Sequence, residues 1–394
     1  MLSLTATGPN GNLMSSRHPL LAIRLQYFFY FAVLGIFLPY FNLYCYHLGF
    51  SGAQIGTLSA VRSLVMVISS IIWGLLADRF HLRRPIYIIC STAGALTWLF
   101  FLTTTDFWLM LLFTVIYVCF YAPIIAFLEA FTMDQLAYRK ESYGRVRAWG
   151  SVSFILVVIL LGRAIDQFPI RLILVLIFAG SLLQALGALR MPRFNSVGRS
   201  LTPQPGESLL NGHVGIFLLC GFLMLVSHGT YYGFFSIHLE NLGYSRTFIG
   251  LMWAVASIAE IIVMIKSEAI YTRFTLERVL VFSFAVAVVR WLMLSIVHSP
   301  VLILFAQMLH AVTYGTFHMA SILYIDRLTS TKAKTIGQAA NNAVQYGLGL
   351  MTGFFLSGFL YERTGSAALF LMSAGIAASG GTLFWGYSRI GRAR

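Results

Sequence analysis

The chain is expected to be an all-α polytopic membrane protein, with twelve transmembrane helices arranged as two pseudo-symmetric six-helix bundles. Three observations carry this expectation. The 394 residues are 58% hydrophobic and only 10% charged, with mean hydropathy +0.80, whereas soluble domains carry about 25% charged residues. Apolar runs long enough to cross about 30 Å of hydrocarbon as helices recur from Leu20 to Ser388. A faint internal repeat also follows matching runs in register.

The twelve runs cover 20–43, 54–77, 85–104, 107–133, 148–165, 169–190, 213–239, 247–267, 278–297, 301–325, 335–360 and 366–388. Pro39 and Pro123 fall inside the first and fourth, where a helix can bend. A β-barrel is excluded, because its strands would read as short alternating stretches rather than solid apolar runs. The first run is kept as a span rather than a signal peptide. It is long, lacks a small-x-small cleavage site and is followed by eleven more.

The repeat rests on Leu48-Gly49-Phe50-Ser51, followed by Gly56, and Leu242-Gly243-Tyr244-Ser245, followed by Gly250, at an offset of 194. Gly35 maps onto Gly229 by the same offset, and Gly144 onto Gly337 at 193. The implied organisation is a cytoplasmic tail 1–19, a six-helix bundle 20–190, a linker 191–212 carrying Pro192, Pro203 and Pro205, a second bundle 213–388 and a tail 389–394. Parallel repeats of six spans point to alternating access around a midplane site.

The formal charge of +14 reflects topology rather than nucleic-acid binding. Of 27 Lys and Arg, 21 lie on one side, in or next to the tails, the linker and the loops there. Four (Arg163, Arg171, Arg246 and Arg363) lie opposite, and Arg62 and Arg290 lie within spans. That asymmetry places both termini and the linker in the cytoplasm, the arrangement expected in a bacterial inner membrane. Cys45, Cys90, Cys119 and Cys220 are scattered and define neither a metal site nor a disulfide framework.

Arg62, Glu129, His228, Glu260, Arg290, His310 and His318 fall within or at the ends of apolar runs. An unpaired charge there costs roughly 2.5–3.5 kcal/mol on insertion scales, so such a set implies a polar pathway. His310 and His318, eight apart, keep roughly to one helix face. Asn341, Asn342 and Gln345 form a polar stripe on the eleventh run, read mainly as interhelical hydrogen bonding. Tyr27, Tyr30, Trp149, Tyr231, Tyr232 and Trp253 supply rings on runs expected to flank a cavity. They suit an aromatic solute, although the same rings also suit sugar faces.

After the second run the chain reads Gly74-Leu-Leu-Ala-Asp78-Arg79-Phe-His81-Leu-Arg83-Arg84. A helix end followed by a basic turn lets Asp78 pair with Arg79 or Arg83 and latch neighbouring spans. The run resembles the Gly-x-x-x-Asp-Arg-x-Gly-x-Arg-Arg loop of the major facilitator superfamily, with His81 where that pattern has Gly. A positive φ suits His poorly, so a different turn geometry is expected. Tyr143-Gly-Arg145-Val-Arg147-Ala-Trp149-Gly150, with Tyr231-Tyr232-Gly, Ala259-Glu260, Arg290-Trp291 and Gln307-Met-Leu-His310, resembles the bacterial phenylpropionate permease group. That group is related to the proton-coupled lactose permease. The resemblance spans about residues 20 to 388.

The resemblance implies a substrate contact at Arg147, with Glu129 one turn from the matching acidic position, which is Ala126 here. It also implies a buried Glu260–Arg290–His310 network for proton coupling. Gln307 stands where the lactose permease has Lys, and Thr313 where it has the proton-accepting Glu. Glu260 or His310 is therefore left to carry the proton. Arg62, His228, Gln307, His318 and Asn341 are further polar candidates for the cavity.

The expected function is proton symport of a small organic solute, best an aromatic monocarboxylate, by a monomer among membrane lipids. Saccharide symport and drug or metabolite export are the alternatives. With no Walker-type loop and no sign of covalent chemistry, ATP-driven pumping and enzyme activity do not fit, and no cofactor or metal is called for.

Overall fold

The computed structural model describes residues 17–136, 142–192, 212–330 and 333–390; among these there are helices and no strands. The first six spans are Arg17–His47, Gly52–Phe80, Arg83–Phe101, Phe107–Leu136, Tyr143–Gln167 and Leu172–Ala188. The next four are Gly212–Asn241, Arg246–Ile265, Leu276–Ile296 and Pro300–Leu328. A last helical stretch, Lys334–Arg389, is interrupted at Gly365, whose φ of 71° lies in the left-handed region. The break separates the eleventh span from the twelfth, so the expected twelve are present. The linker from 193 to 211, Arg139, Lys140, Lys332 and the chain ends fall outside the described residues.

The repeat is visible in backbone geometry. Gly49 and Gly243 adopt φ of 81° and 85°. Ser51 and Ser245 then cap the second and eighth spans with φ/ψ of −65°/158° and −66°/157°. Each serine hydroxyl accepts from the amide three residues on, Gln54 or Phe248, at 3.2 Å. Ser51 and Gln54 complete a capping box, worth about 1 kcal/mol.

Span ends agree with the sequence to within about five residues, and the helices continue through Pro39 and Pro123. Two features were not anticipated. A short helix, Ser267–Arg273, follows the eighth span. The tenth and eleventh spans each contain a π-helical stretch, Ala311–Thr316 and Ala343–Gly349. The expectation for His81 is overturned: it takes the left-handed conformation itself, φ 54° and ψ 34°, and closes the second span as a Gly would. Its amide bonds to the Ala77 carbonyl, which offsets part of the steric cost.

Large apolar side chains, including Leu75, Trp108, Ile265 and Val301, lie exposed along the outer faces. On a chain this apolar, such a surface faces lipid. Toward the interior, glycines allow crossings between the two halves. A Cβ on Gly250 would lie 2.2 Å from the Val158 carbonyl oxygen, and one on Gly56 would lie 2.6 Å from that of Phe354. The eighth span therefore touches the fifth, and the second touches the eleventh, almost backbone to backbone.

Candidate functional site

Arg290 anchors the second half. It is completely buried, and each nitrogen of its guanidinium has an acceptor. Nε donates to the Ala306 carbonyl at 2.9 Å, Nη1 to His310 Nδ1 at 2.8 Å and to Thr313 Oγ1 at 3.3 Å, and Nη2 to Gln307 Oε1 at 3.3 Å. The Tyr231 hydroxyl donates to the same Gln307 oxygen at 3.0 Å. Rings of Tyr231 and Trp291 lie 4.3 and 4.5 Å from the guanidinium carbon, adding cation–π attraction.

His310 links this cation to the acid. Because Nδ1 accepts from Arg290, the ring proton belongs on Nε2, which lies 2.8 Å from Glu260 Oε1. The Tyr232 hydroxyl also meets Nε2, at 3.3 Å. Glu260, Arg290 and His310, chosen from sequence, thus form a relay with His310 in the middle, rather than a direct Glu260–Arg290 pair. Thr313 stands within the network as an uncharged acceptor.

His228 packs on the rings of Trp291, His310 and Tyr232; Nδ1 bonds to the Met224 carbonyl at 2.9 Å, and Nε2 has no partner. His318 bonds to the Tyr346 hydroxyl through Nδ1 at 2.6 Å. His310, Tyr314 and His318 stack in a column, with centroids 5.2 and 6.2 Å apart and planes within 16°. Asn341 receives a bond from Gln345 of its own helix at 2.6 Å, rather than bridging two helices, and its Nδ2 is unpartnered.

A cavity of about 510 Å³ lies between the second, tenth and eleventh spans. Met66, Val67, Tyr314, His318, Asn342 and Tyr346 contribute to its wall. Of the residues singled out from sequence, His318 and Asn342 are in that wall, and His310 stands behind Tyr314. Tyr314 and Tyr346, the ring-bearing wall residues, were missed by the sequence reading.

In the first half, the Arg147 guanidinium carbon sits 3.9 Å from the Phe31 ring centroid and 5.6 Å from that of Tyr27. Glu129 meets the Tyr143 hydroxyl at 3.5 Å and lies within electrostatic range of Arg147. Tyr30 stacks on Tyr121 at 4.8 Å, and Tyr121 on Tyr117 at 4.9 Å, forming an aromatic ladder. Trp149 is 44% exposed and apart from that ladder. Arg62 rests between the Phe37 and Phe354 rings.

The two ends of the molecule differ. At the end carrying the termini, Arg83 pairs with Asp78 at 2.9 Å and approaches Asp134 at 3.7 Å, while Arg79 lies over the Phe80 ring. Asp134, on the fourth span, was not anticipated. Arg84 donates to the Met191 and Leu189 carbonyls. Each of these contacts stays within one half.

At the opposite end the halves are tied together. Glu240 takes His47 at 2.7 Å and Arg246 at 3.1 Å. Asp166 accepts from the Arg246 and Thr247 amides at 2.8 and 2.9 Å and from the Thr247 hydroxyl at 2.6 Å. Glu362 accepts from the Gly52 amide at 2.7 Å, and Tyr46 bonds to Asn241 at 3.2 Å. Among the described residues, the hydrogen bonds and ion pairs joining the halves all lie at or toward this end.

Residues 20–372 match the model of the MFS_1 like family. The chain is 29% identical over 361 residues to a protein of Escherichia coli (strain K12) described as a probable 3-phenylpropionic acid transporter, covering 89% of this chain and 93% of that one. It is 24% identical over 357 residues to the maltose permease of Geobacillus stearothermophilus, covering 88% and 89%. The solved nucleoside transporter NupG superposes with a TM-score of 0.81 at 19% identity, over 93% of this chain and 98% of that one. A bacterial homologue of the human lysosomal transporter Spinster superposes at 0.73 with 14% identity, over 96% and 98%. The chain therefore belongs to the MFS_1 like family of the major facilitator superfamily, and it is a multi-pass membrane transporter of a small solute rather than an enzyme.

Proposed function

We propose that this transporter is a proton symporter that imports an aromatic or related monocarboxylate across a bacterial inner membrane, as a monomer, by alternating access. The observation that carries the reading is His310 held between Arg290 and Glu260, one stacked ring away from the cavity. A proton taken at Glu260 weakens its attraction for the His310 N–H, so protonation is felt at once by the column of rings reaching the cavity wall. With the terminal end cytoplasmic, as the basic loops indicate, the ties at the opposite end close the periplasmic side. The cavity lies in the cytoplasmic half, and Asp78, Arg79, Arg83 and Asp134 are then the residues that close that half in turn. Arg147 and Glu129, with Tyr30, serve substrate from the first half, and Tyr231 and Tyr232 from the second. The relative described as a probable 3-phenylpropionic acid transporter supports an aromatic acid. The maltose permease relative keeps saccharide as the second reading, since tyrosine faces also stack on sugars.

The test is uptake into proteoliposomes holding the purified protein, under an imposed inward proton gradient. The panel contains 3-phenylpropionate, aliphatic acids and disaccharides, with Glu260→Gln as control. Accumulation of aromatic acids that collapses with a protonophore and in the control is the expected result. Gradient-independent flux sinks the coupling role of Glu260, and exclusive disaccharide uptake replaces the substrate class.

A further inference from the structure

Among the described residues, Arg62 is a cation without a counter-charge. It lies mid-helix in the second span and is only partly buried. Its guanidinium carbon is 5.0 Å from the ring centroid of Phe37, in the first span, and 5.6 Å from that of Phe354, in the eleventh. One ring comes from each half, so the charge sits on the seam between the bundles. Among the described residues no carboxylate lies within 4.0 Å of it, and its guanidinium makes no hydrogen bond. Its electrostatic neighbours are Tyr117 and Tyr121, and the buried Tyr117 hydroxyl also lacks a hydrogen-bond partner.

Arg290 and Arg147 differ. Arg290 has acceptors for each of its nitrogens and reaches Glu260 through His310. Arg147 has Glu129 within electrostatic range. A bare guanidinium between two aromatic faces keeps its edge N–H groups free, and those groups suit a carboxylate in bidentate geometry. Leaving such a charge uncompensated inside a membrane is costly, and intramembrane cations are retained where they meet a ligand or water.

Position completes the argument. Met66 is one turn beyond Arg62 on the same helix face, and Met66 and Val67 line the cavity together with Tyr314, His318 and Tyr346. Arg62 is outside that wall, its backbone about 6 Å along the helix from Met66, so the charge stands next to an aromatic-walled cavity. A ligand with a carboxylate at Arg62 would lay an apolar body across Met66 and against Tyr314 and Tyr346, whose rings already meet edge to face at 6.1 Å. A ring separated from the carboxylate by a short alkyl chain matches that spacing.

We propose that Arg62 is the residue that binds the substrate's carboxylate, and that the cavity beyond it selects an arylalkanoate whose ring lies about one helical turn from the acid. This assignment rests on the transport reading above. It moves the anion contact from Arg147, the position implied by resemblance, to a residue on the opposite side of the first half.

The experiment compares purified full-length wild type, Arg62→Gln and Arg62→Lys in proteoliposomes. The probes are 3-phenylpropionate, benzoate, which lacks the spacer, and the neutral 3-phenylpropanamide as competitor. The expected result is at least a ten-fold rise in KM for 3-phenylpropionate in R62Q, with inhibition by the amide unchanged. R62K is expected to recover most of the loss, and wild type to take up benzoate poorly. Parallel weakening of acid and amide marks Arg62 as structural and overturns the proposal, as does an unchanged KM in R62Q. Failure of R62K to recover a variant that is inserted and monodisperse overturns it too. If wild type takes up no carboxylate, the transport reading falls and this assignment falls with it. If wild type takes up 3-phenylpropionate and R62Q does so equally well, only the assignment falls.

Discussion

Arg290 shows how much a single residue can reveal from sequence, and where that stops. A charge in an apolar run demands partners, and the family resemblance supplied Glu260 and His310 as its companions. The order of the relay was not, because it depends on which His310 nitrogen faces which helix. The ends of the spans were harder. Asp166, Glu240 and Glu362 sit where polar residues are ordinary, and nothing in their spacing says that they reach the other half. Two expectations belong at this scale. Arg290→Met takes the guanidinium donor from the Ala306 carbonyl and His310 Nδ1, while Gln307 Oε1 keeps the Tyr231 hydroxyl, and an orphaned buried group costs about 1–3 kcal/mol. The melting temperature of R290M in detergent should therefore fall clearly below wild type; an equal value would mean that water replaces the guanidinium. His81→Gly should do the reverse. His81 holds a left-handed backbone that costs a non-glycine residue about 1 kcal/mol or more. The glycine variant should melt higher, and a lower melting temperature would assign the His81 side chain a role of its own.

The existence and order of the twelve spans were readable because burial in lipid makes a span apolar on all sides, a cruder signal than amphipathic periodicity. What escaped was local winding. A π turn closes its hydrogen bonds from i to i+5, which brings residues four apart nearly into line. That winding stacks His310, Tyr314 and His318 in one column, an alignment that regular α spacing only approximates. The glycines of the repeat were visible as coincidences, and their use is a matter of helix crossing. Gly250→Leu places a branched side chain where a Cβ alone would be 2.2 Å from the Val158 carbonyl and 2.6 Å from the Tyr40 hydroxyl. Neither the backbone carbonyl nor the tyrosine that donates to it at 2.7 Å yields easily. The fifth and eighth spans should separate at the end opposite the termini, so that a cysteine placed at Phe154 reacts faster with a membrane-impermeant maleimide added from that side. Unchanged reactivity would show that the crossing tilts without opening.

For the whole molecule the question is what holds one end shut. Asp166 receives the first two backbone amides of the eighth span and the Thr247 hydroxyl. It thereby places a full negative charge at the positive end of a helix belonging to the other half. Glu362 does the same for the Gly52 amide, so each half contributes a carboxylate to a helix start of the other. Arg246 adds a bond to the Ile165 carbonyl. Such bonds form only when the two ends meet, so they act on the balance between closed and open rather than on the folding of either half. Asp166→Asn keeps the size and some of the hydrogen bonding but removes the charge. A charge near a helix start is worth about 0.3–1 kcal/mol when exposed, which corresponds to a shift of up to about five-fold in the closed-to-open ratio. Spin labels on cysteines replacing Leu48 and Leu242 would read that shift as a growing long-distance population in D166N. The effect should shrink in wild type at high salt, since the carboxylate lies near solvent and is open to screening. A distance distribution that the substitution leaves unchanged would assign closure to the glycine crossings alone, with the ion pairs following the motion instead of biasing it.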